Sequence, residues 1–492
     1  MKTYLLRGVP NSVAMDGWWL SGGQPRRPRP AHDATGSPQW WHRAGALAAL
    51  IALADLLLWQ AAPGLSLAVF GIAVLGTGWV YAGRRGTAGI GLAILLFLPV
   101  IERVQALSVV FWLAGLALGA AWIATARWPG LSAALRFLLH APTLFFHDLH
   151  ATMTAAPRRD VHSGARAAFL GWFLPLGLGL LFLSLLVEAN PMFERWLRSV
   201  TLGSLEVDRI AFWLGIGFLA WPFLSLHRLE QRLKLGPRTP RTRSLPAMFN
   251  AASVRRSLVL FNVVFAVQTL SDIAIFSGGA ALPDGMSYAE YAHRGAYPLL
   301  ATALLAGLFA IAARPFTTGN RALRAALLAW MGQTLLLVLS SLLRLDSYVS
   351  VYGLTHLRLA ALIWMGMVAV GIVLVIAQIL RHRPVGWLLR RCTVLGIGTL
   401  YLCSFTSFAA TVATYNLTHD VIQDQAYLCA LDGAALPVIL DAQRVTERQI
   451  CAKGHLPVFD PPRDWREWGF RDWRTARSLS KIPAPGTAWP TF

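Results

Sequence analysis

Charge is what this sequence has least of. Asp, Glu, Lys and Arg make up 14% of its 492 residues, where a soluble chain of that length carries roughly a quarter. Also missing are a P-loop, a G-x-G-x-x-G after a strand, an H-E-x-x-H helix and a paired C-x-x-C, as well as a G-x-S-x-G elbow. These absences argue against ATP-driven transport by this chain, and no cofactor is expected. The polar stretch 1–43, with PRRPRP at 25–30, has no apolar core followed by a small-residue cleavage site. It does not read as a removable signal peptide, and a flexible cytoplasmic tail is expected there.

What is abundant is apolar sequence, 55% of the chain. Runs of about 17–23 residues with hardly any charge are long enough to cross a hydrocarbon layer of about 30 Å. Eleven such spans are expected, near 44–61, 65–82, 87–101, 105–124, 167–187, 209–225, 257–277, 298–313, 322–343, 359–380 and 392–413. The expected class is all-α: a polytopic helical membrane protein with a bundle over 44–413 and a small outer tail over 414–492.

The net charge of +20 does not point to nucleic acid, because the basic residues are spread over many loops rather than gathered on one face. They alternate with the spans instead. Arg84, Arg85, Arg127, Arg136, Arg255, Arg256, Arg314, Arg321, Arg381 and Arg383 fall on one set of connections, and the other set holds few. Since Lys and Arg collect on cytoplasmic loops, the N-terminus is placed inside and the C-terminus outside. An outside tail lies in an oxidising compartment, so Cys429 and Cys451 are expected to form a bridge worth about 3 kcal/mol.

Several blocks are distinctive together: LPVIERVQALS (98–108), GWFLPLGLGLLFLSLLVEANPMFERW (171–196), the stretch 253–300 with ALPDGMSYAEYAHRGAYPL, RLDSYVSVYGLTHLRLAALIWM (344–365) and DWREWGFRDWR (464–474). The set resembles an uncharacterised bacterial family of multi-pass membrane proteins, domain of unknown function 4173, over most of 44–475. That resemblance implies a bacterial inner-membrane protein and carries over no reaction, cofactor or catalytic residue.

On this topology the outer connections share a set of polar residues. Ser287 and Glu290 have the spacing of a capping box, so a short surface helix bearing Tyr288, Tyr291, His293 and Arg294 is expected to lead into the eighth span. Glu188 and Asn190 end the fifth span, and Asp272 lies near the outer end of the seventh. Arg344, Tyr348, Tyr352, His356 and Arg358 fall in the connection after the ninth. Tyr348 and Tyr352, four apart, would stack on one helix face, and Thr355 is a candidate N-cap. Ionisable groups near membrane depth are costly unless paired or wet. Pairs are therefore expected between Asp272, Glu188 or Asp284 and Arg294, Arg344 or Arg358, either as a ligand site or as a network clamping helices together. His293 and His356 lack a fixed spacing, and no metal is expected.

Three further stretches carry weaker signals. LRFLLHAPTLFFHDLH (135–150), with His140, His147, Asp148 and His150, suggests an amphipathic helix lying on the membrane. Gly115 and Gly119 have the spacing that lets membrane helices approach closely. The tryptophans of 464–474 suit an outer interface, with a lid over the polar residues as the alternative.

The functional expectation is a non-ATP-driven binding or transport protein with a polar site open to the periplasmic side. Its candidate ligand residues are Glu188, Asn190, Asp272, Glu290, His293, Arg294, Arg344, Tyr348, Tyr352 and Arg358. The bilayer is the expected partner, with a small anionic or lipid-linked ligand. A membrane-embedded enzyme acting on a lipid-linked or envelope substrate, and a sensor or assembly factor, remain open.

Overall fold

The computed structural model describes residues 38–128, 130–154, 207–226, 250–276, 288–317 and 319–482. All regular elements among them are helical. Numbered along the described residues, a first group comprises α1 (Pro38–Leu58), α2 (Leu65–Tyr81), α3 (Ala88–Glu102), α4 (Ala106–Thr125), α5 (Leu131–Thr154) and α6 (Val207–Leu224). A second comprises α7 (Ala251–Phe276), α8 (Tyr288–Thr317), α9 (Arg321–Tyr352), α10 (His356–Leu380) and α11 (Val385–Ser404).

Every expected span but the fifth overlaps one of these helices, and the fifth lies outside the described residues. By length and composition, α4, α7, α9 and α10 are long and apolar enough to cross a membrane, and α11 joined to the helix after it makes a fifth. α2, α3 and residues 301–317 of α8 are apolar but shorter.

The first group packs through small residues. Ala54, Ala68, Ala93, Ala117, Ala120 and Ala121 are buried around Leu57, Leu75 and Phe97, and side chains this small let helix axes draw together. The approach is closest between α3 and α4. A Cβ on Gly89 would sit 2.8 Å from the Gly119 carbonyl, and one on Gly115 would sit 2.8 Å from the Phe97 ring, so the small-residue spacing read from the sequence serves contact within the chain. α5 does not lie apart on a surface, because Ala133, Ala134 and Phe137 are buried in this same core.

In the second group the core turns on Trp330, which meets Phe265 and Phe309 edge-on at 5.6 and 5.5 Å. Val259, Leu260, Val263, Val264, Val267, Leu270 and Ile273 of α7 are each more than half exposed. Such an apolar stripe needs a non-aqueous neighbour, and a bilayer supplies one.

The eleventh expected span departs from expectation. α11 ends at Ser404, and α12 (Phe408–Thr418) leaves it at 73°. Ala409, Val412 and Ala413 of α12 are buried with Leu428, Leu431, Ala435, Ile439 and Cys451 in a separate core. This core belongs to a cap formed by α12, α13 (Gln425–Cys429), α14 (Leu436–Thr446), α15 (Phe470–Leu479) and two 3-10 turns. Cys429 and Cys451 are joined by a disulfide, as expected.

Reducing that bridge is expected to destabilise the cap by about 3 kcal/mol, read as a lower unfolding midpoint with dithiothreitol than without. Gly353→Ala is expected to lower the midpoint as well. Gly353 has φ +74, and a Cβ there would meet the Asn416 Oδ1 at 2.8 Å. With ψ 173 this is an extended positive-φ conformation that is essentially glycine-only and costs another residue about 1–3 kcal/mol.

Candidate functional site

A helix ending leaves backbone N–H or C=O groups without intrahelical partners, and the cap supplies many of the missing partners at one end of the bundle. At the start of α2, Leu65 N donates to Trp468 O at 2.8 Å and Ser66 N to Arg466 O at 3.2 Å. Arg466 Nη1 donates to Leu56 O near the end of α1 at 3.0 Å. The Glu467 carboxylate accepts from Ala62 N and Arg463 N at 3.1 and 3.0 Å. This strap runs so tightly over the α1–α2 turn that a Cβ on Gly64 would lie 2.4 Å from the Glu467 carbonyl carbon.

The next turn of sequence places one arginine in the interior. Arg471, 5% exposed, donates through Nε to Glu102 Oε1 at 3.3 Å and through Nη2 to Ser404 O at 2.9 Å. Arg474 Nη2 reaches the same Glu102 oxygen at 2.5 Å, and Arg103 pairs with Asp432. The tryptophan-rich end is thus a clasp between the cap and the ends of α3 and α11. Trp465 and Trp473 still face outward, 56% and 39% exposed.

The α9–α10 corner, YVSVYGLTHLR, is held from both sides. Thr355 caps α10 by accepting from Arg358 N. Asn416 brackets Leu354, accepting from its N–H and donating to its carbonyl at 2.6 and 2.9 Å. Tyr427 Oη accepts from His356 N at 2.9 Å. Arg358 donates to the Tyr352 and Gly353 carbonyls and to Tyr348 Oη, with its guanidinium 4.3 Å from the Tyr348 ring centre. Tyr348 and Tyr352 share a helix face as expected, but their rings meet tilted at 46° rather than stacked, 4.9 Å between centres. The Arg358 side chain therefore caps the end of α9, and no carboxylate is among these partners.

Asp272 of α7 and Arg344 of α9 form the expected ion pair, with side chains 4% and 8% exposed. Ser340 Oγ and Gln268 Nε2 also donate to the Asp272 carboxylate, at 2.7 and 2.8 Å. A pair not foreseen joins α1 to α6: Arg209 donates twice to Asp55, and Trp213 Nε1 once at 2.8 Å. Glu188, Asn190 and Asp284 lie outside the described residues. Glu290, His293 and Arg294 fall in the first two turns of α8, which starts at Tyr288 and runs unbroken to Thr317; their side chains lie outside the described set. The anticipated short surface helix is thus the start of α8 itself.

Between the strap and the bundle lies a cleft of about 560 Å³. Its charged lining is Arg103, Asp460, Arg463, Glu467 and Asp472, with Gln60 beside them. Burial raises the Asp472 carboxyl above the usual aspartate range, opposed by Arg103 and Arg471. Hydrogen bonds from Arg463 N and Ala62 N hold Glu467 below its own. None of these residues was singled out from the sequence as a ligand residue, although Arg103 and most of the strap fall in distinctive blocks. Clefts with a few convergent polar groups and perturbed acids are the usual places for a ligand.

Arg344→Ala is expected to lower stability by about 3–5 kcal/mol, because it strands a buried carboxylate. With Asp272→Ala added, the loss should be smaller than the sum of the single losses, as chemical unfolding in detergent would show. The strap carries a pH dependence of known sign. Glu467 has a lowered pKa when folded, so its contribution is complete above about 4.3, the unfolded glutamate value, and is lost as pH falls through the lowered value. Acidification below pH 4 should therefore change the fluorescence of the Trp468 region, and Glu467→Gln should remove that part of the change.

The profile of one family, described as Domain of unknown function (DUF4153), matches residues 45–442. No curated protein and no solved structure matches the chain. The matching family is numbered 4153, not the 4173 to which the sequence blocks were likened; both are uncharacterised. Since the match takes in well over half of the residues, the chain belongs to the family described as Domain of unknown function (DUF4153).

Proposed function

We propose that this is a multi-pass protein of a bacterial inner membrane, with about eleven spans, its N-terminus inside and its cap in the periplasm. It binds a small polar ligand there without using ATP. The orientation rests on charge and redox chemistry. Connections and helix ends away from the cap carry Arg84, Arg85, Arg127, Arg255, Arg256, Arg314, Arg321, Arg381 and Arg383, as cytoplasmic sides do. The disulfide lies in the cap, as an oxidising compartment favours.

The observation that carries the binding proposal is the cleft between cap and bundle, whose lining includes Arg103, Arg463, Asp460, Glu467 and Asp472. The arginines suit an anionic group on the ligand, and the acids suit an amine or hydroxyls. Transport is favoured by one further feature, the Asp272–Arg344 pair between two helices long enough to cross a membrane. In that version Asp272 and Arg344 are taken as ligand residues, and Glu188, Asn190, Glu290, His293, Arg294, Tyr348, Tyr352 and Arg358 remain the further ligand candidates read from the sequence.

The test is a thermal-shift screen of the nanodisc-embedded protein against amino acids, dicarboxylates and sugar phosphates. At least one class should raise the midpoint of the wild type, with an effect at least tenfold weaker in Arg463→Ala. If no class shifts the wild type, or Arg463→Ala responds equally, the cleft is not a ligand site. Reporter fusions should place residue 320 in the cytosol and residue 350 outside it; the reverse would refute the orientation.

A further inference from the structure

At the end of the bundle away from the cap, α8, α9 and α10 leave a second, smaller hollow of about 120 Å³. It is lined by Arg314 and Thr317 of α8, Arg324 of α9, Gln378 of α10, and His382 just beyond α10. A water needs about 10–15 Å³ of such space, so the hollow is large enough for a tetrahedral oxyanion.

Two observations indicate what it would hold. Gln378 is 3% exposed, and its Nε2 has no hydrogen-bond partner. A buried donor left without a partner is destabilising, and an acceptor in the hollow would relieve that. The basic groups are held in place as well. Arg324 Nη1 donates to His382 Nε2 at 2.8 Å, and His382 sits at φ +51 at the end of α10. There Arg383 N bonds back to Gln378 O at 3.0 Å and Arg381 N to Ala377 O at 3.0 Å. These bonds satisfy α10 carbonyls that would otherwise oppose an anion. Arg314, Arg324 and the Gln378 amide bring N–H donors to a lining completed by the apolar Ala310, Leu327 and Ile379, and no Asp or Glu lies among the lining residues.

We infer that this hollow binds a phosphate group, with Arg314 and Arg324 matching its charge and the Gln378 amide donating to one of its oxygens. The phosphate belongs to an anionic lipid headgroup or to free phosphate; both present the same oxygens, and the site's position at the end of membrane helices makes each accessible. Arginine suits this task because its planar fork matches phosphate geometry. The proposal does not depend on the periplasmic cleft or on the orientation of the chain.

The full chain would be embedded in nanodiscs of phosphatidylcholine alone, or with added phosphatidylglycerol, and its thermal midpoint measured with and without inorganic phosphate. A rise with phosphatidylglycerol identifies a headgroup site, and a rise with inorganic phosphate in phosphatidylcholine identifies a free-phosphate site. Arg324→Gln should raise the half-maximal ligand concentration about tenfold, as loss of one charge-assisted hydrogen bond predicts. Gln378→Leu removes the stranded donor at similar volume, so it should keep or raise the ligand-free midpoint while losing most of the ligand-dependent rise. The inference is overturned if neither phosphate source shifts the wild type, or if both variants respond as the wild type does.

Discussion

The buried guanidinium of Arg471 is shared between the Glu102 carboxylate at the end of α3 and the Ser404 carbonyl at the end of α11. A cation removed from water needs a compensating charge and hydrogen bonds to its remaining protons. Here the charge comes from one helix group, the carbonyl from the other, and the cation from the cap. Three parts of the chain are therefore fixed by one desolvated group. The same junction is reinforced deeper in the bundle, where Tyr401 of α11 donates to Leu95 O of α3 at 2.7 Å and meets Phe111 edge-on. Burial opposes the Arg471 charge and Glu102 restores it, so loss of Glu102 would affect the cap as well as α3.

The cap follows one chemical rule at separate points. Helices that stop together at the edge of an apolar layer expose orphan groups there, and an apolar layer offers nothing to satisfy them. Arg466, Trp468 and Arg471 serve α1, α2 and α11, while Asn416, Tyr427 and Arg358 serve the α9–α10 corner. Several residues that look like ligand groups on composition alone are accounted for in this way. Arg358 is the clearest case, with its donors on backbone carbonyls and a tyrosine hydroxyl.

How much of this was legible in the sequence depends on the range of the interaction. Helical character and the approximate span positions follow from local apolar runs. The Thr355 cap, the Tyr348–Tyr352 ring contact and the close approach of α3 at Gly115 and Gly119 follow from spacings of three or four residues, which a helix enforces. The bend after Ser404 was not legible because Ala409, Val412 and Ala413 prolong the apolar run; they pack into the cap core, and hydropathy does not distinguish that from facing lipid. The Glu102–Arg471 bond spans 369 positions, and nothing local marks either residue as the partner of the other. The cleft was missed for the same reason, since its walls come from residues 60–64, 103–104 and 460–472.

Among the described residues, the Glu102–Arg471 and Asp272–Arg344 ion pairs are buried on both sides and hold the molecule in different ways. Glu102–Arg471 lies at an end, where parting the partners would admit water and lift the cap. Asp272–Arg344 lies between α7 and α9, with Ser340 and Gln268 adding donors to the same carboxylate. Three side chains thus match the Asp272 charge within the protein, and the pair fixes the relative height of the two helices, since a slide of one turn, about 5.4 Å, would separate the charges in an apolar setting. As long as Arg344 stays in place the pair is a clamp. For Asp272 to exchange a proton or meet a ligand, Arg344 must first move away, and that coupling is what would distinguish a transporter from a binding protein built on the same bundle.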